Sequence, residues 1–438
     1  MSDTHAQTAA YVRESMIGQS APPTGQSGAI RWMRENLFSG VTNTILTLVS
    51  IYVIWVIVSH LFPWFANSIW RADSLTQCRE IRDATVGADA PAACFAVIVD
   101  RWQQLVFGFY PQDKYWRPVL ALVVFLAAIA PILFQSLPRK ALWFSAAAPF
   151  LLFFLLWGGS VWLPVCVALG FVIGAVAYRL LVASAGTLTA TLAAIVLPLL
   201  YWLFLAGPLD AALTAVAPVG LEYVQSKDFG GFTLSFIIGV AGIALSLPLG
   251  ILLALGRQSH LFIIKMISVG FIEVIRGVPL IVWLFTASLL LNYFLPPGTN
   301  FDLMLRVIIM VTLFSAAYIA EVVRGGLAAL PKGQYEGADS LGLDYWQSMR
   351  LVILPQALKI SIPGIVNTFI GLFKDTTLVV FIGLLDPIGL TNAIRASTDW
   401  NGVYWELFIF VGLMFFIACF SMGRYSLFLE KKLQREHR

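Results

Sequence analysis

Long apolar runs, separated by polar turns and loops, dominate the pattern of this 438-residue chain. We count about ten runs close to the roughly 20 apolar residues that a bilayer-spanning helix needs. The predicted spans are Thr42–Phe62, Val119–Leu137, Leu142–Trp157, Val161–Leu181, Leu188–Ala206, Phe232–Leu255, Phe271–Leu295, Leu303–Val323, Ile362–Leu384 and Tyr404–Leu427. Because lipid offers no partner to backbone N–H and C=O groups, each span is expected to be helical. The pattern therefore predicts an all-α, polytopic membrane helix bundle of about ten transmembrane helices.

The composition agrees with a chain that is solvated mostly by lipid. Charged residues make up 12% of the chain and hydrophobic residues 59%, whereas about 25% of the residues in soluble domains are charged. So few ionic groups cannot cover a water-facing surface, and membrane lipid is the expected surrounding. No basic stripe with interleaved aromatic residues stands in a polar segment, so no nucleic-acid partner is predicted.

The basic residues predict the orientation of the bundle. Cytoplasmic loops carry an excess of Lys and Arg, and Arg31 and Arg34 place the N-terminus in the cytoplasm. An even number of spans returns the C-terminus to the same side, in agreement with Lys431 and Lys432. The predicted parts are a disordered cytoplasmic tail at 1–40, an N-terminal transmembrane extension at 41–229 with an external loop at 63–116, a second bundle at 230–430 with a cytoplasmic loop at 324–360, and a cytoplasmic tail at 431–438.

The four cysteines predict one candidate disulfide. Cys78 and Cys94 lie in the loop predicted to be external, where oxidising conditions favour a bond between them. The alternative is an interfacial cap with two reduced thiols. Cys166 and Cys419 lie inside apolar runs and are expected to behave as small hydrophobes. No Cys-x-x-Cys pair or ligand spacing of His occurs, so no metal site is predicted.

The polar segment at 324–360 contains clear turn and capping signals. Gly342 can adopt the positive φ that ends a helix, and Asp344 can cap a second helix that begins at Tyr345. Pro355 limits how far that second helix runs unbroken. Two short amphipathic helices at an angle are therefore predicted, and physics alone leaves two roles open, docking to a groove on a partner or binding to lipid headgroups. The apolar surface is predicted to consist of Leu341, Leu343, Trp346 and Met349.

The spacing in this segment resembles the signature loop of permeases in ATP-binding cassette (ABC) importers. That loop reads Glu-Ala-Ala, three residues, Gly, nine residues, Ile-x-Leu-Pro, and the matching positions here are Glu336-Gly337-Ala338, Gly342 and Val352-Ile353-Leu354-Pro355. Gly337 and Val352 depart from the pattern, and Gly337 loosens the helix by about 1 kcal/mol relative to Ala. In the family this loop is the coupling helix, which sits in a cleft of the ATPase subunit. The resemblance implies ATPase docking by Glu336, Gly337, Ala338, Asp339, Leu341, Gly342 and Leu343.

Five further blocks in the second half resemble permeases for polar amino acids. They are Leu253–Arg257, Arg276–Leu280, Ala316–Gly326, Leu354–Leu358 and Lys374–Leu378, in which Thr377 stands where the family usually has Ser. The long first half is similar in architecture to the larger permease subunit of general L-amino-acid uptake systems. The resemblance implies a five-helix permease core in the second half of the chain and a location in the bacterial inner membrane.

The resemblance also implies an assembly. The chain would form half of the translocation pathway, completed by a second, shorter and different permease, two cytoplasmic ATPase subunits and a periplasmic amino-acid-binding protein. The sequence contains no GxxxxGK[ST] phosphate loop, so no catalytic role or cofactor is expected in this chain, and ATP and Mg are expected on the partner ATPase. The alternative is a self-contained secondary transporter, although such proteins often have two similar halves and these halves look dissimilar.

Two Glu-x-x-Arg-Gly motifs lie at the predicted cytoplasmic ends of neighbouring spans. Glu273 and Arg276 begin one span, and Glu321 and Arg324 end the next. Residues at i and i+3 share a helix face and can pair. One hypothesis is an ion-pair ring that holds the inward gate, and the other is a set of interfacial charges that snorkel to water.

A third polar group, Lys374, Asp375 and Thr376, lies inside the predicted span Ile362–Leu384. A zwitterionic amino acid needs a donor for its carboxylate and an acceptor for its ammonium group, and Lys374 and Asp375 carry both. The competing and preferred interpretation is that these two residues pair with Glu273 or Arg276.

Overall fold

The computed structural model describes residues 28–134, 136–290 and 302–435. The described residues fall into two compact units, one formed by residues up to 69 with 80–93, and the other by 70–79 with 94–435. The first unit holds α1 (Gly28–Asn36) and α2 (Val41–Ala66), which contains the first predicted span.

Residues 28–36, which the sequence analysis placed in a disordered tail, form helix α1. Arg31 Nε lies 2.7 Å from Glu35 Oε1, an i, i+4 pair of the kind that supports short helices. The Asn36 side chain donates to the Trp32 carbonyl at 2.9 Å. The rest of that predicted tail, residues 1–27, lies outside the described part of the chain.

The first half of the second unit is a set of helices joined by a small sheet. Its α-helices are α4 (Ala96–Phe107), α5 (Trp116–Leu133), α6 (Leu142–Trp157), α7 (Trp162–Phe204) and α8 (Ala206–Val216). The preceding helix, α3 (Leu75–Thr85), belongs to this unit up to Arg79 and to the first unit from Glu80 onward. Strands β1 (Gly159–Ser160) and β2 (Gly220–Leu221) pair antiparallel, with Gly159 opposite Leu221. Short 3₁₀ turns lie at Gln112–Lys114, Arg139–Ala141 and Ser226–Asp228.

Helix α7 contains two of the predicted spans. Its 43 residues correspond to about 65 Å of helix at 1.5 Å per residue, roughly twice the 30 Å of a bilayer core. At Gly186 the backbone leaves helical geometry, with φ 81° and ψ 166°, a conformation that only Gly adopts without strain. The two limbs on either side of Gly186 correspond to Val161–Leu181 and Leu188–Ala206.

The second half of the same unit contains the longer helices of the bundle. They are α9 (Gly231–Gln258), α10 (Phe262–Gly277), α11 (Leu280–Phe285) followed by a π-turn at Thr286–Leu290, α12 (Leu303–Ala328), α13 (Lys332–Ser340), α14 (Tyr345–Ser348) followed by a π-turn at Met349–Ile353, α15 (Leu354–Asp375) followed by a 3₁₀ turn at Thr376–Ile382, α16 (Pro387–Arg395) and α17 (Trp405–Arg435).

The number of crossings agrees with the sequence. Eight helices among the described residues are long and apolar enough to cross a membrane, and the bent pair α10–α11 adds a ninth. Counting the two limbs of α7 separately gives ten. The predicted boundaries of the seventh span, Phe271–Leu295, were wrong at the start, because α10 begins at Phe262 and the chain turns by 102° before Leu280. Residues 291–295 lie outside the described part of the chain.

The core of the second half lies along α9, α12 and α15. A Cβ placed at Gly250 of α9 would lie 2.7 Å from Ile319 Cγ2 and 3.0 Å from the Ala316 carbonyl oxygen of α12. On the other side of α12, a Cβ at Gly326 would meet the Ser361 hydroxyl and lie 2.5 Å from the Ala357 carbonyl oxygen. These glycines let three helix backbones approach closely, as small residues do in membrane bundles.

A structure that we call the cap, residues 70–79 and 94–115, covers the end of the bundle where α9 begins. Cys78 and Cys94 are joined by a disulfide with Cα atoms 6.1 Å apart, so the predicted bond is present. The Cys94 N–H donates to Glu406 Oε1 at 2.8 Å, and the Trp400 indole donates to Asp100 Oδ2 at 2.8 Å. The cap is therefore fastened to the loop between α16 and α17 and to the start of α17.

Asp386, at the end of the bundle that the cap covers, is the buried N-cap residue of α16, and the pKa of its carboxyl group is raised. Its carboxylate accepts from the backbone N–H groups of Ile388 at 3.1 Å and Gly389 at 2.9 Å, at the start of α16. Burial raises the pKa of Asp386 from 3.8 to about 6, although these hydrogen bonds oppose the rise. In the unfolded chain the carboxyl group of Asp386 has its ordinary pKa of 3.8. Between pH 3.8 and about 6 the folded state therefore holds a proton that the unfolded state has released.

The predicted consequence is that stability rises as the pH falls through about 6. We expect the wild-type chain to gain about 1 kcal/mol of unfolding free energy from this group between pH 7 and pH 5. The Asp386→Asn variant has no ionisable group at this position, so its unfolding free energy should lack this increase between about pH 7 and pH 5. Thermal unfolding of the purified proteins across this pH range tests the prediction, with Asp399→Asn, an exposed carboxylate at the same end, as the control. Equal pH slopes for wild type and Asp386→Asn would contradict it.

Candidate functional site: the ion cluster and the α13–α14 turn

The α13–α14 turn lies at the end of the bundle opposite the cap, after α12 has crossed the bundle. Gly342 has a φ of +71°, as the sequence predicted, and no atom outside its neighbours lies within 4 Å of a Cβ placed there. The Gly342 N–H donates to the Asp339 carbonyl at 2.9 Å, and the Leu343 N–H donates to the Ala338 carbonyl at 3.3 Å. These bonds satisfy the last carbonyls of α13 and reverse the chain, as a left-handed glycine does at a helix end.

The next helix begins with a reciprocal cap. The Asp344 carboxylate accepts from the Gln347 N–H at 2.8 Å, and the Gln347 side chain accepts from the Asp344 N–H at 3.2 Å. The predicted cap at Asp344 is therefore confirmed, and Gln347 completes it as a capping box.

Contacts with α12 and α15 hold the turn against the bundle. The Tyr335 hydroxyl donates to the Leu327 carbonyl at 3.4 Å, and the Gln356 side chain donates to Gln334 Oε1 at 2.9 Å. Ala338 is only 2% exposed. The predicted docking residue Ala338 thus packs inward and anchors α13 instead of offering a surface to a partner.

The opposite side of the turn is exposed and partly apolar. Leu341 is 78% exposed and Trp346 67% exposed, while Glu336, Gly337 and Asp339 are also exposed. Leu343 is half-buried. Met349, which the sequence placed on this surface, is 6% exposed and packs with Leu327 and Ile353 in the core. Its assignment to the apolar surface was wrong, because the π-turn that begins at Met349 rotates its side chain inward.

As predicted, the helix that begins at Tyr345 is interrupted before it reaches Pro355. The π-turn at Met349–Ile353 follows α14, and Pro355 then occupies the first turn of α15, which continues to Asp375. A proline lacks the N–H of a normal helix turn, and its ring crowds the carbonyl four residues earlier. The wider π-turn provides room for that ring, so the chain passes from α14 into α15 with only a change of pitch.

Three helices bring the predicted charged residues together with Arg257, which was not among the predicted residues. Arg257, at the end of α9, lies 2.9 Å from Glu273 Oε1 and 2.6 Å from Glu321 Oε1. Arg324 contacts Glu321 Oε2 at 2.9 Å, and Arg276 approaches Glu321 Oε1 at 3.8 Å. We call these five residues of α9, α10 and α12 the ion cluster, in which Glu321 is the shared acceptor.

The pairing inside the ion cluster differs in part from the prediction. Glu321 and Arg324 pair at i, i+3 as expected, but Glu273 pairs with Arg257 instead of Arg276. The Arg276 guanidinium lies 5.3 Å from the ring centre of Tyr318 and stacks over it. A cluster that joins three helices favours the gate hypothesis over isolated snorkelling charges. The signal that could have revealed Arg257 was its place in the Leu253–Arg257 block.

The Lys374 group does not join this cluster. Lys374 and Asp375 end α15, and the rise from Leu354 to Lys374 is about 30 Å. Pairing with Glu273 or Arg276 was therefore wrong, because the two groups lie toward opposite ends of the bundle. Thr376 is 0% exposed, and its hydroxyl donates to the Phe373 carbonyl at 2.8 Å. Its place in a pathway stays a prediction, while Lys374 is exposed and Asp375 half-buried.

No group of three His, Cys, Asp or Glu side chains suited to a metal ion occurs among the described residues.

Comparisons with known proteins identify the family of the chain. The family model described as "Binding-protein-dependent transport system inner membrane component" matches residues 246–435. The glutamate/glutamine/aspartate/asparagine transport system permease protein BztC of Rhodobacter capsulatus is 55% identical over 439 positions, covering 100% of both chains. The inner membrane amino-acid ABC transporter permease protein YhdY of Escherichia coli is 40% identical over 407 positions, covering 93% of each.

Among solved structures, an amino acid ABC transporter crystallised with histidines aligns with 45% of this chain and 90% of its own, at 29% identity and a TM-score of 0.41. The alternative of a self-contained secondary transporter finds no support among the relatives. Permeases of this family are not enzymes, and a separate subunit hydrolyses ATP. From full-length similarity to two amino-acid permeases, the chain belongs to the family of binding-protein-dependent ABC importer permeases, as the transmembrane subunit of an amino-acid importer.

Proposed function

We propose that this permease docks its ATPase through the face of the α13–α14 turn that carries Glu336, Leu341 and Trp346. The observation that carries the proposal is the exposure of Leu341 and Trp346 at a polar end of the bundle. Exposed apolar side chains beside acidic ones suit a helix-in-groove contact. Ala338 and Tyr335 support the turn from below, so a push on the exposed face moves α12 and α15 with it.

The ion cluster then serves as the inward gate. Arg257, Glu273 and Glu321 belong to three different helices and lie at the same end as the α13–α14 turn. Movement of α12 away from α9 breaks the contact between Arg257 and Glu321, while movement toward α9 restores it. A cluster with one shared carboxylate favours a closed arrangement and is disrupted when any one helix withdraws.

The family supports a proposal for the orientation and the assembly. We propose that the α13–α14 turn and both termini are cytoplasmic, and that the cap faces the periplasm. In this orientation the disulfide of the cap lies in an oxidising compartment. The residues at 230–430 are proposed as the permease core and those at 41–229 as an extension. A second, shorter permease, two ATPase subunits that bind ATP and Mg, and a periplasmic amino-acid-binding protein complete the importer.

The substrates are proposed from the relatives. The name of the relative that is 55% identical refers to glutamate, glutamine, aspartate and asparagine. We infer that this importer carries acidic amino acids and their amides. Lys374 and Asp375, near the cap end of α15, provide a donor and an acceptor for the carboxylate and ammonium groups that all four substrates share.

Uptake by reconstituted vesicles tests the function. Vesicles that contain the two permeases and the ATPase are expected to accumulate radiolabelled glutamate when binding protein and ATP are present, and unlabelled glutamine, aspartate and asparagine are expected to compete. Vesicles that lack the ATPase should take up none. Uptake that continues without the ATPase would contradict the proposed mechanism, and competition by unrelated amino acids alone would contradict the proposed substrates.

A further inference from the structure

Arg179 is the single charged residue in the 43 residues of helix α7. It lies seven residues before the bend at Gly186, which corresponds to about 10 Å along the helix. Its side chain is exposed, and no carboxylate of the described residues lies within 4.0 Å of it. Arg179 lies two residues before the end of the predicted span Val161–Leu181, where a long basic side chain can reach the headgroup level and attract an anionic lipid.

A groove of about 500 Å³ lies beside Arg179, between the two limbs of α7. Apart from Arg179 and Tyr178 at one end, its lining is apolar and includes Phe171, Ile195 and Leu199. The groove therefore combines a long apolar wall with one cationic end.

Close contacts between the limbs preform the groove. A Cβ at Gly174 would lie 2.8 Å from the Ala194 carbonyl oxygen and 2.9 Å from Pro198 Cγ. Trp202 Nε1 donates to the Val167 carbonyl at 3.0 Å across the same pair of limbs. Because the walls are fixed before a ligand arrives, little ordering cost accompanies binding.

We propose that this groove binds one anionic phospholipid, with its acyl chain along Phe171 and Leu199 and its phosphate on Arg179. The rise from Phe171 to Arg179 is about 12 Å, which fits within the roughly 15 Å of one leaflet of the hydrocarbon core. A phosphate accepts two parallel hydrogen bonds from a guanidinium. An apolar helix of another subunit would fill the groove but would leave Arg179 without a counter-charge, so the lipid satisfies both parts of the site.

Native mass spectrometry of the assembled importer tests this site. Complexes would be taken from nanodiscs that contain phosphatidylglycerol and phosphatidylcholine. We expect the Arg179→Gln variant to retain about fivefold less phosphatidylglycerol than wild type. The Ala175→Leu variant, which fills the groove and keeps the charge, should lose the same lipid. Lys140→Gln, a basic residue of the turn before α6, serves as the control and should retain it.

Two results would overturn the proposal. One is equal retention of phosphatidylglycerol by wild type, Arg179→Gln and Ala175→Leu. The other is efficient disulfide crosslinking of Ala175→Cys to another subunit, which would place a protein helix in the groove. Each complex would also be checked for intact assembly by its mass, so that a loss of lipid is measured only on complete importers.

Discussion

The Gly342→Pro variant is expected to insert into the membrane normally but to lose its ATPase partner. Proline fixes φ near −65°, whereas Gly342 needs +71°, so the reversal between α13 and α14 cannot form. With the reversal lost, Leu341 and Trp346 no longer share one face. We expect at least about a tenfold loss of ATPase in pull-downs of the tagged permease, which corresponds to roughly 1.4 kcal/mol.

Two further glycine variants make this test specific. Gly342→Ala should cause an intermediate loss, because a left-handed backbone costs an L-residue about 1–2 kcal/mol. Gly337→Ala introduces the same methyl group inside α13, where no atom lies within 4 Å and φ is ordinary. It should leave binding unchanged or strengthen it, because Ala favours helix by about 1 kcal/mol over Gly. If Gly342→Pro permease retains the full amount of ATPase, the docking face has been assigned wrongly.

Removing the shared carboxylate of the ion cluster is expected to have the second large effect. Glu321→Gln leaves Arg257, Arg276 and Arg324 close together without their common acceptor. Breaking a fully buried pair costs about 3–5 kcal/mol. The Glu321 side chain is 16% exposed, so partial screening reduces the expected loss of unfolding free energy to about 2 kcal/mol. Thermal unfolding of the purified complex measures this loss, and glutamate uptake measures the consequence for the gate.

Glu273→Gln is the matched control, with the same chemical change in the same cluster. Among the described residues, the Glu273 carboxylate forms an ion pair with Arg257 alone, and its side chain is 57% exposed. An exposed pair contributes at most about 1 kcal/mol, so this variant should unfold and transport nearly as wild type does. Equal effects of the two substitutions would show that Glu321 is not the centre of the cluster, and a stable Glu321→Gln complex with normal uptake would remove the gate from the proposal.

The features that were predicted correctly depend on residues close to one another in the sequence. The left-handed conformation of Gly342 and the cap at Asp344 depend on a few neighbouring residues, so a single sequence specifies them. Long apolar runs specify crossings in the same way. Leu142–Trp157 was predicted as a span and forms α6 with the same bounds.

Features that depend on distant residues were not accessible from the sequence. Met349 is apolar and follows exposed Trp346, so only the π-turn, whose pitch depends on packing against α12, reveals that its side chain points inward. The partner of Glu273 was predicted three residues away on the same helix, but it is Arg257 of α9. Lys374 was placed near the ion cluster, because the span was predicted to begin at Ile362 and not at Leu354, the first residue of α15.

The cap also has a consequence for the order in which the chain is assembled. Its bonds to Glu406 and Trp400 join residues that are 312 and 300 positions apart in the sequence. At about 5–20 residues per second, a ribosome needs roughly 15–60 seconds to make the intervening chain. In the proposed orientation, with the cap in the periplasm, Cys78 and Cys94 are exported and can be oxidised before Glu406 and Trp400 are made. The disulfide of the cap therefore forms first, and the hydrogen bonds to Trp400 and Glu406 form only when the last helix, α17, is inserted.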